Sequence, residues 1–223
     1  MNYTIIRSQR KTCAIQIRRD CVEVRAPFWL PVAEIDRFVT AKSDWISAKL
    51  TEQTIRAEQR AGFSLYYGDM VLYRGDEYPI IVGQNKRVGI SEYGFYMPRG
   101  LSAVEIKSTC VKIYRSAAKA VLTEKANMFS AIMGVSPSVI RITGAKTRWG
   151  SCSSKKSINF SWRLIMANDD IIDYVVVHEL AHLKEMNHSP RFWAVVESVL
   201  PDYNNRRRML KDLQKRLCVE DWD

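Results

Sequence analysis

A chain of 223 residues, 47% of them apolar, has the material for an ordinary core in one domain or two small ones. Five widely spaced cysteines without a CxxC pair favour a reducing, cytoplasmic setting, and neither a signal peptide nor a membrane-length apolar run is read in the sequence. The formal charge of +10 raises the expectation of an acidic partner: nucleic acid, nucleotide or a polyanionic protein surface.

Short apolar runs at 3–6, 12–17 and 21–25 predict three strands in a small antiparallel meander, with Gln9 and Arg10, then Arg19 and Asp20, in the turns. Pro31 opens a predicted long helix to about residue 61, with Ile35, Phe38, Val39, Trp45, Ile46 and Leu50 near one face and Gly62 as its stop. Strand-like runs follow at 71–73, 78–82, 87–90 and 94–97, divided by turn signals at Gly68, Gly75 and 83–85. Their many aromatic residues read as cross-strand packing. The best linker candidate is 98–108, which divides the chain into an N-terminal strand–helix–strand region, 1–100, and a core, 101–223.

An amphipathic helix is predicted over 111–133, with Ala118, Leu122, Ala126, Phe129 and Met133 as its stripe and Gly134 as its stop. A strand at 139–143 pairs with one at 157–164, and the polar stretch 146–152 between them reads as a turn. The last helix, about 204–217, packs through Met209, Leu210, Leu213 and Leu217. Its basic run, Arg206, Arg207, Arg208, Lys211, Lys215 and Arg216, reads as a solvated face, with weak nucleic-acid association as the alternative.

All the histidines of the chain, His178, His182 and His188, fall within one stretch, VVVHELAHLKEMNHSPRF. Residues four apart on a helix lie one above the other, so His178 and His182 can offer two imidazole nitrogens to one metal ion. Glu179 stands beside them, completing the HExxH pattern of zinc hydrolases. If the helix ends near 185–187, the chain can turn back and bring in His188 as third ligand, leaving the fourth position open. Asn168, Asp169 or Asp170 can cap this helix. Ser189 and Pro190 start the next one, in which Phe192 and Trp193 read as core.

Four segments, TRWGSC (147–152), INFSWRL (158–164), YVVVHELAHL (174–183) and NHSPRFW (187–193), resemble the YgjP-like metallopeptidase-like family, which is related to the SprT-like and WLM zinc peptidases. The resemblance implies an α+β fold with a compact gluzincin-like metallopeptidase core (supporting helix, small sheet, HExxH helix) and an N-terminal α/β extension. It implies that His178, His182 and His188 bind one Zn2+ per chain and that Glu179 is the general base. The ligand spacing equals that of metzincins. However, Glu185 stands where they keep a glycine, and Met209 lacks the Met-turn context, so metzincin proper is rejected.

The expected function is a zinc-dependent metallopeptidase acting on a peptide or protein. Arg148 is the candidate for stabilising developing negative charge. Lys146, Trp149, Arg163 and Tyr203 are candidates for substrate binding, and an open edge of the 157–164 strand is a candidate for aligning an extended peptide. Cys152 reads as a buried, inert thiol. One alternative is a metal-dependent nucleoside triphosphate pyrophosphatase using Lys146, Arg148 or Arg163 on phosphates. Another is a nucleic-acid-associated metalloprotein without independent catalysis.

Overall fold

Strand β3 (Cys21–Pro27) alternates buried and half-buried positions along its length, and this pattern puts it in the centre of the first sheet. It pairs in parallel with β1 (Thr4–Ser8) and antiparallel with β2 (Ala14–Arg18), giving the order β1-β3-β2. The expected meander would have put β2 in the middle. The chain instead centres the strand whose Val22, Val24 and Ala26 are all buried. The computed structural model describes residues 2–18, 21–84 and 86–222, so the turn expected at Arg19 and Asp20, and Asn85 of the turn expected at 83–85, lie outside the described residues.

Two helices stand where one was expected: α1 (Val32–Thr40) and α2 (Ser43–Ala61). The backbone leaves the helical region at Lys42, with φ −113° and ψ 12°. The break lets Ile35 and Val39 of α1 and Ile46 of α2 join the same buried cluster as β3. Together these elements form one compact unit, Met1–Phe63 with Cys218–Asp221; a second comprises Ser64–Leu217 with Trp222–Asp223. The division therefore falls at Phe63, not near residue 100.

In the second unit β4 (Met70–Tyr73), β5 (Asp76–Val82), β6 (Gly89–Ser91) and β7 (Gly94–Met97) form a sheet of order β4-β5-β7-β6. The β4–β5 hairpin turns through Arg74 (φ 50°) and Gly75 (φ 93°), the doubly left-handed geometry of a tight hairpin. Backbone amides at this tip donate to the carbonyls of Ile165 and Met166, at 2.9 and 3.1 Å. These bonds tie residues 64–97 to the core rather than to an N-terminal region.

Helix α3 (Ala103–Met133) starts well before its apolar stripe becomes regular, so most of the expected 98–108 linker is helical. The cause is a capping box. Ser102 Oγ accepts from the Glu105 amide, and the Glu105 carboxylate accepts from the Ser102 amide at 2.8 Å. Midway along α3, Tyr114 is fully buried, stacked on Trp162 at 5.6 Å and edge-on to Phe95 at 5.1 Å. Its hydroxyl donates to the Leu72 carbonyl at 2.7 Å.

A third sheet carries the order β8-β10-β9, from β8 (Val139–Thr143), β9 (Gly150–Cys152) and β10 (Ser157–Ser161). Strand β10 ends earlier than expected, and Trp162–Met166 closes into a 3₁₀ turn. The polar stretch 146–152 is not all turn, since its last three residues form β9. Strand β10 is therefore paired on both sides and has no open edge. The edges of this sheet are β8, parallel to β10, and β9, antiparallel to it. Among the described residues there are six α-helices and three small sheets, an α+β fold, and no helix is long and apolar enough to cross a membrane.

Replacing Ser102 by Ala removes one side of the capping box, and chemical denaturation should show a loss of about 1 kcal/mol. Ser102→Gly should cost only a few tenths of a kcal/mol, roughly, because glycine is itself a tolerated cap.

Candidate metal centre

Helix α4 (Asp169–Ala181) carries the site, and its start is held from several sides. Asn168 caps it, accepting from the Ile171 amide at 3.1 Å. The hairpin tip packs on this cap so closely that a Cβ on Gly75 would lie 2.7 Å from the Asn168 Cβ. Arg74 pairs with Asp169, Lys125 of α3 with Asp173, and Arg206 of α6 (Tyr203–Leu217) with Asp170. The acidic groups sit in the first turns, where the helix dipole also favours them. Ile171, Ile172, Val175, Val176 and Leu180 are buried, and this packing overrides the weak helix propensity of the valine run.

Helix α4 ends at Ala181 rather than near 185–187, with His182 as its C-cap in right-handed geometry. The last turn tightens, as the Leu183 and Lys184 amides donate to the Leu180 and Ala181 carbonyls at 3.0 Å each. His182 nevertheless stays one turn beyond His178. The chain then reverses through Asn187, whose side chain accepts from the Ser189 amide at 3.2 Å. Ser189 caps α5 (Pro190–Val199) by accepting from the Phe192 amide at 3.4 Å.

The reversal brings the three imidazoles together. One ring nitrogen from each of His178, His182 and His188 lies within 4.8 Å of the other two. His178 Nε2 and His188 Nε2 are 3.1 Å apart, near the edge of about 3.3 Å expected for a tetrahedron with metal–nitrogen bonds of about 2.0–2.1 Å. His182 Nδ1 donates to the Glu185 carbonyl at 3.2 Å, which fixes its tautomer and leaves Nε2 as the free lone pair. His178 Nδ1 is buried without a hydrogen-bond partner, so the polar edge of that ring is the one turned towards His188. Burial, reinforced by the neighbouring histidines, lowers the His178 pKa to about 3, and burial lowers that of His182. Neutral rings of this kind are the form that donates to a metal, so the donor set fits a divalent ion of the zinc type.

Glu179 is buried, and burial raises its pKa to about 7 against the opposing pull of Arg148. Its side chain lies against Gly150 of β9, where a Cβ would sit 2.5 Å from the Glu179 Cγ and 2.6 Å from Oε1. Cys152, two residues on, is half-buried, and its thiol pKa is raised by burial and by the Glu179 charge. Phe192 touches the whole cluster, with its ring centre 4.9, 4.6 and 4.8 Å from those of His178, His182 and His188. Trp193 stacks on His188 at 5.8 Å, Tyr203 stacks on Trp193 at 5.3 Å, and the Arg207 guanidinium lies 5.2 Å from the Trp193 ring centre.

The other sequence candidates fall into two groups. Lys146, Arg148 and Trp149 lie on the turn leading into β9, the first two exposed, and Arg148 is close enough to act on the Glu179 charge. Arg163 stacks on Trp162 at 4.5 Å and donates to the Gly144 carbonyl at 3.1 Å, bracing that turn. Tyr203 stacks on Trp193, which in turn stacks on His188. Sequence reasoning missed Gly150, and it took Phe192 and Trp193 for plain core. Their spacing from His188, four and five residues across a helix start, was the available signal.

Comparison with curated proteins gives no significant match. Among solved structures, a metallopeptidase zymogen, abylysin of Pyrococcus abyssi, is 27% identical with a TM-score of 0.38. Jannalysin of Methanocaldococcus jannaschii, also a metallopeptidase zymogen, is 22% identical with a TM-score of 0.37; each match covers 42% of this chain and 95% of the other. A family model described as a YgjP-like metallopeptidase domain matches residues 11–213, nearly the whole chain, and the chain therefore belongs to the YgjP-like metallopeptidase family.

Proposed function

We propose that this chain is a zinc-dependent peptidase in which His178, His182 and His188 hold one zinc ion and Glu179 is the general base. One observation carries the reading: three imidazoles converge beside a buried carboxylate. A zinc ion in that position supplies a Lewis acid for a peptide carbonyl and for water. Glu179 takes the proton from the attacking water and delivers it to the leaving amine. Its burial favours this double duty, because a carboxyl titrating near neutrality can both accept and return a proton. Arg148 neutralises charge that develops on the carbonyl oxygen, and Lys146 and Trp149 form the adjoining wall of the substrate cleft. Gly150 admits the carboxylate to its place against β9, and Phe192 keeps solvent from one side of the rings.

Metal analysis should find about one zinc per chain, and chelation should abolish peptide cleavage until zinc is restored. Glu179→Gln should keep its zinc and lose cleavage by about 10²- to 10⁴-fold; full turnover in that variant would remove Glu179 as base.

Gly150→Ala should test the packing of the carboxylate. The added Cβ forces Glu179 aside, so kcat should fall by about 10- to 100-fold while zinc content stays at the wild-type level. Wild-type kcat in Gly150→Ala would show that the close approach does not set the base.

A further inference from the structure

The three consecutive arginines of α6 have separate tasks. Arg206 is largely buried, its side chain 14% exposed, and it pairs with Asp170, Asp173 and Asp202. Arg208 donates to Asn205 of its own helix at 3.4 Å. Arg207 is exposed, and no carboxylate pairs with it among the described residues. It lies instead over the Trp193 ring, which Tyr203 stacks against and which stands 5.8 Å from His188 and 5.9 Å from His178. A guanidinium on an aromatic shelf keeps its donors free for a planar acceptor.

These separations hold the Arg207 charge within about 11 Å of the His188 ring, roughly three residues of extended peptide. Arg74, Arg206 and Arg216 are each bound to a carboxylate of the second unit, whereas Arg207 lies over the Trp193 ring beside the histidines.

We propose that Arg207 is the substrate-recognition cation of this site and receives a peptide carboxylate within about three residues of the scissile bond. This rests on the peptidase reading. The carboxylate has two sources, an acidic side chain or the free C-terminus of the peptide. A fork of parallel N–H donors suits either one. The preference should be modest, because an exposed pair is screened by solvent.

The test uses the zinc-loaded Glu179→Gln chain, which binds without turnover, and three peptides of equal length. One has an acidic side chain and an amidated C-terminus, one a neutral side chain and a free C-terminus, and one is neutral and amidated. At least one carboxylate-bearing peptide should bind about three- to tenfold tighter than the neutral amide. Which of the two does so identifies the source. Adding Arg207→Gln should erase the difference, and adding Arg207→Glu should shift preference to a fourth, lysine-bearing amidated peptide of the same length, with zinc content unchanged in both. Failure of either carboxylate peptide to bind tighter than the neutral amide overturns the proposal, as does a preference that survives Arg207→Gln. So does a charge effect seen with a nucleoside triphosphate and with neither peptide. Cleavage of the same peptides by the wild-type chain is scored separately. A charge preference without cleavage supports Arg207 as the recognition cation and removes the peptidase reading alone.

Discussion

A buried carboxylate and three imidazoles, two half-buried and one exposed, share one small volume, and the second unit is built around that constraint. Buried polar groups are costly unless each has a defined partner or task. Here most of the cost is limited by neutrality. The His178 and His182 rings are kept unprotonated by burial, and Glu179 is driven towards its neutral form. The cluster therefore needs few compensating charges. What it needs is geometric control, because neutral groups do not pull one another into register as ions do.

That control comes from the two ends of α4 by different means. At its start the device is ionic and exact in position: Arg74, Lys125 and Arg206 come from a hairpin, α3 and α6 and grip acidic side chains of the first turns. The exposed Arg74–Asp169 pair contributes little by itself, and the Lys125 and Arg206 pairs are more shielded. Three pairs from three elements nevertheless fix the rotation of the helix, which decides where His178, Glu179 and His182 point. At the far end the device is apolar and aromatic. Phe192 and Trp193 arrive on the first turn of α5 and pack against the rings, so the loop histidine, His188, is held by a helix start rather than by its own loop.

This division explains what could be read from sequence. Histidines four residues apart on a helix are a local pattern, and His188 follows after a loop too short to carry it far, so the cluster was legible. Helix starts marked by Ser189–Pro190 and Asn168 were legible for the same reason. Strand order was not. Whether β3 or β2 takes the centre of the first sheet depends on buried area summed over partners distant in sequence, and the alternation in each strand looked alike. The start of α3 was missed because its first turns carry an S-x-x-E cap before the stripe becomes regular. Residues 150–152 looked like a turn because they are small and polar. At Gly150 the reason is the Glu179 side chain lying against it, and this cannot be seen without knowing what packs there.

Charge is the feature for which sequence and structure differ most in kind. Read along the chain, Arg206, Arg207 and Arg208 are one basic run, and a run of that type suggests a solvated face or a polyanion. Folded, successive residues on a helix diverge by about 100°, so neighbours in sequence face different surroundings. Arg206 faces the acidic start of α4 and is consumed by it, and Arg208 returns to its own helix. Arg207 alone faces the aromatic shelf beside the histidines. A net charge of +10 is thus a weak guide to a partner. The informative quantity is which cations the fold leaves unmatched, and where. Around this site Arg74 and Arg206 hold the start of α4, while Arg207 lies on the Trp193 ring beside the histidines.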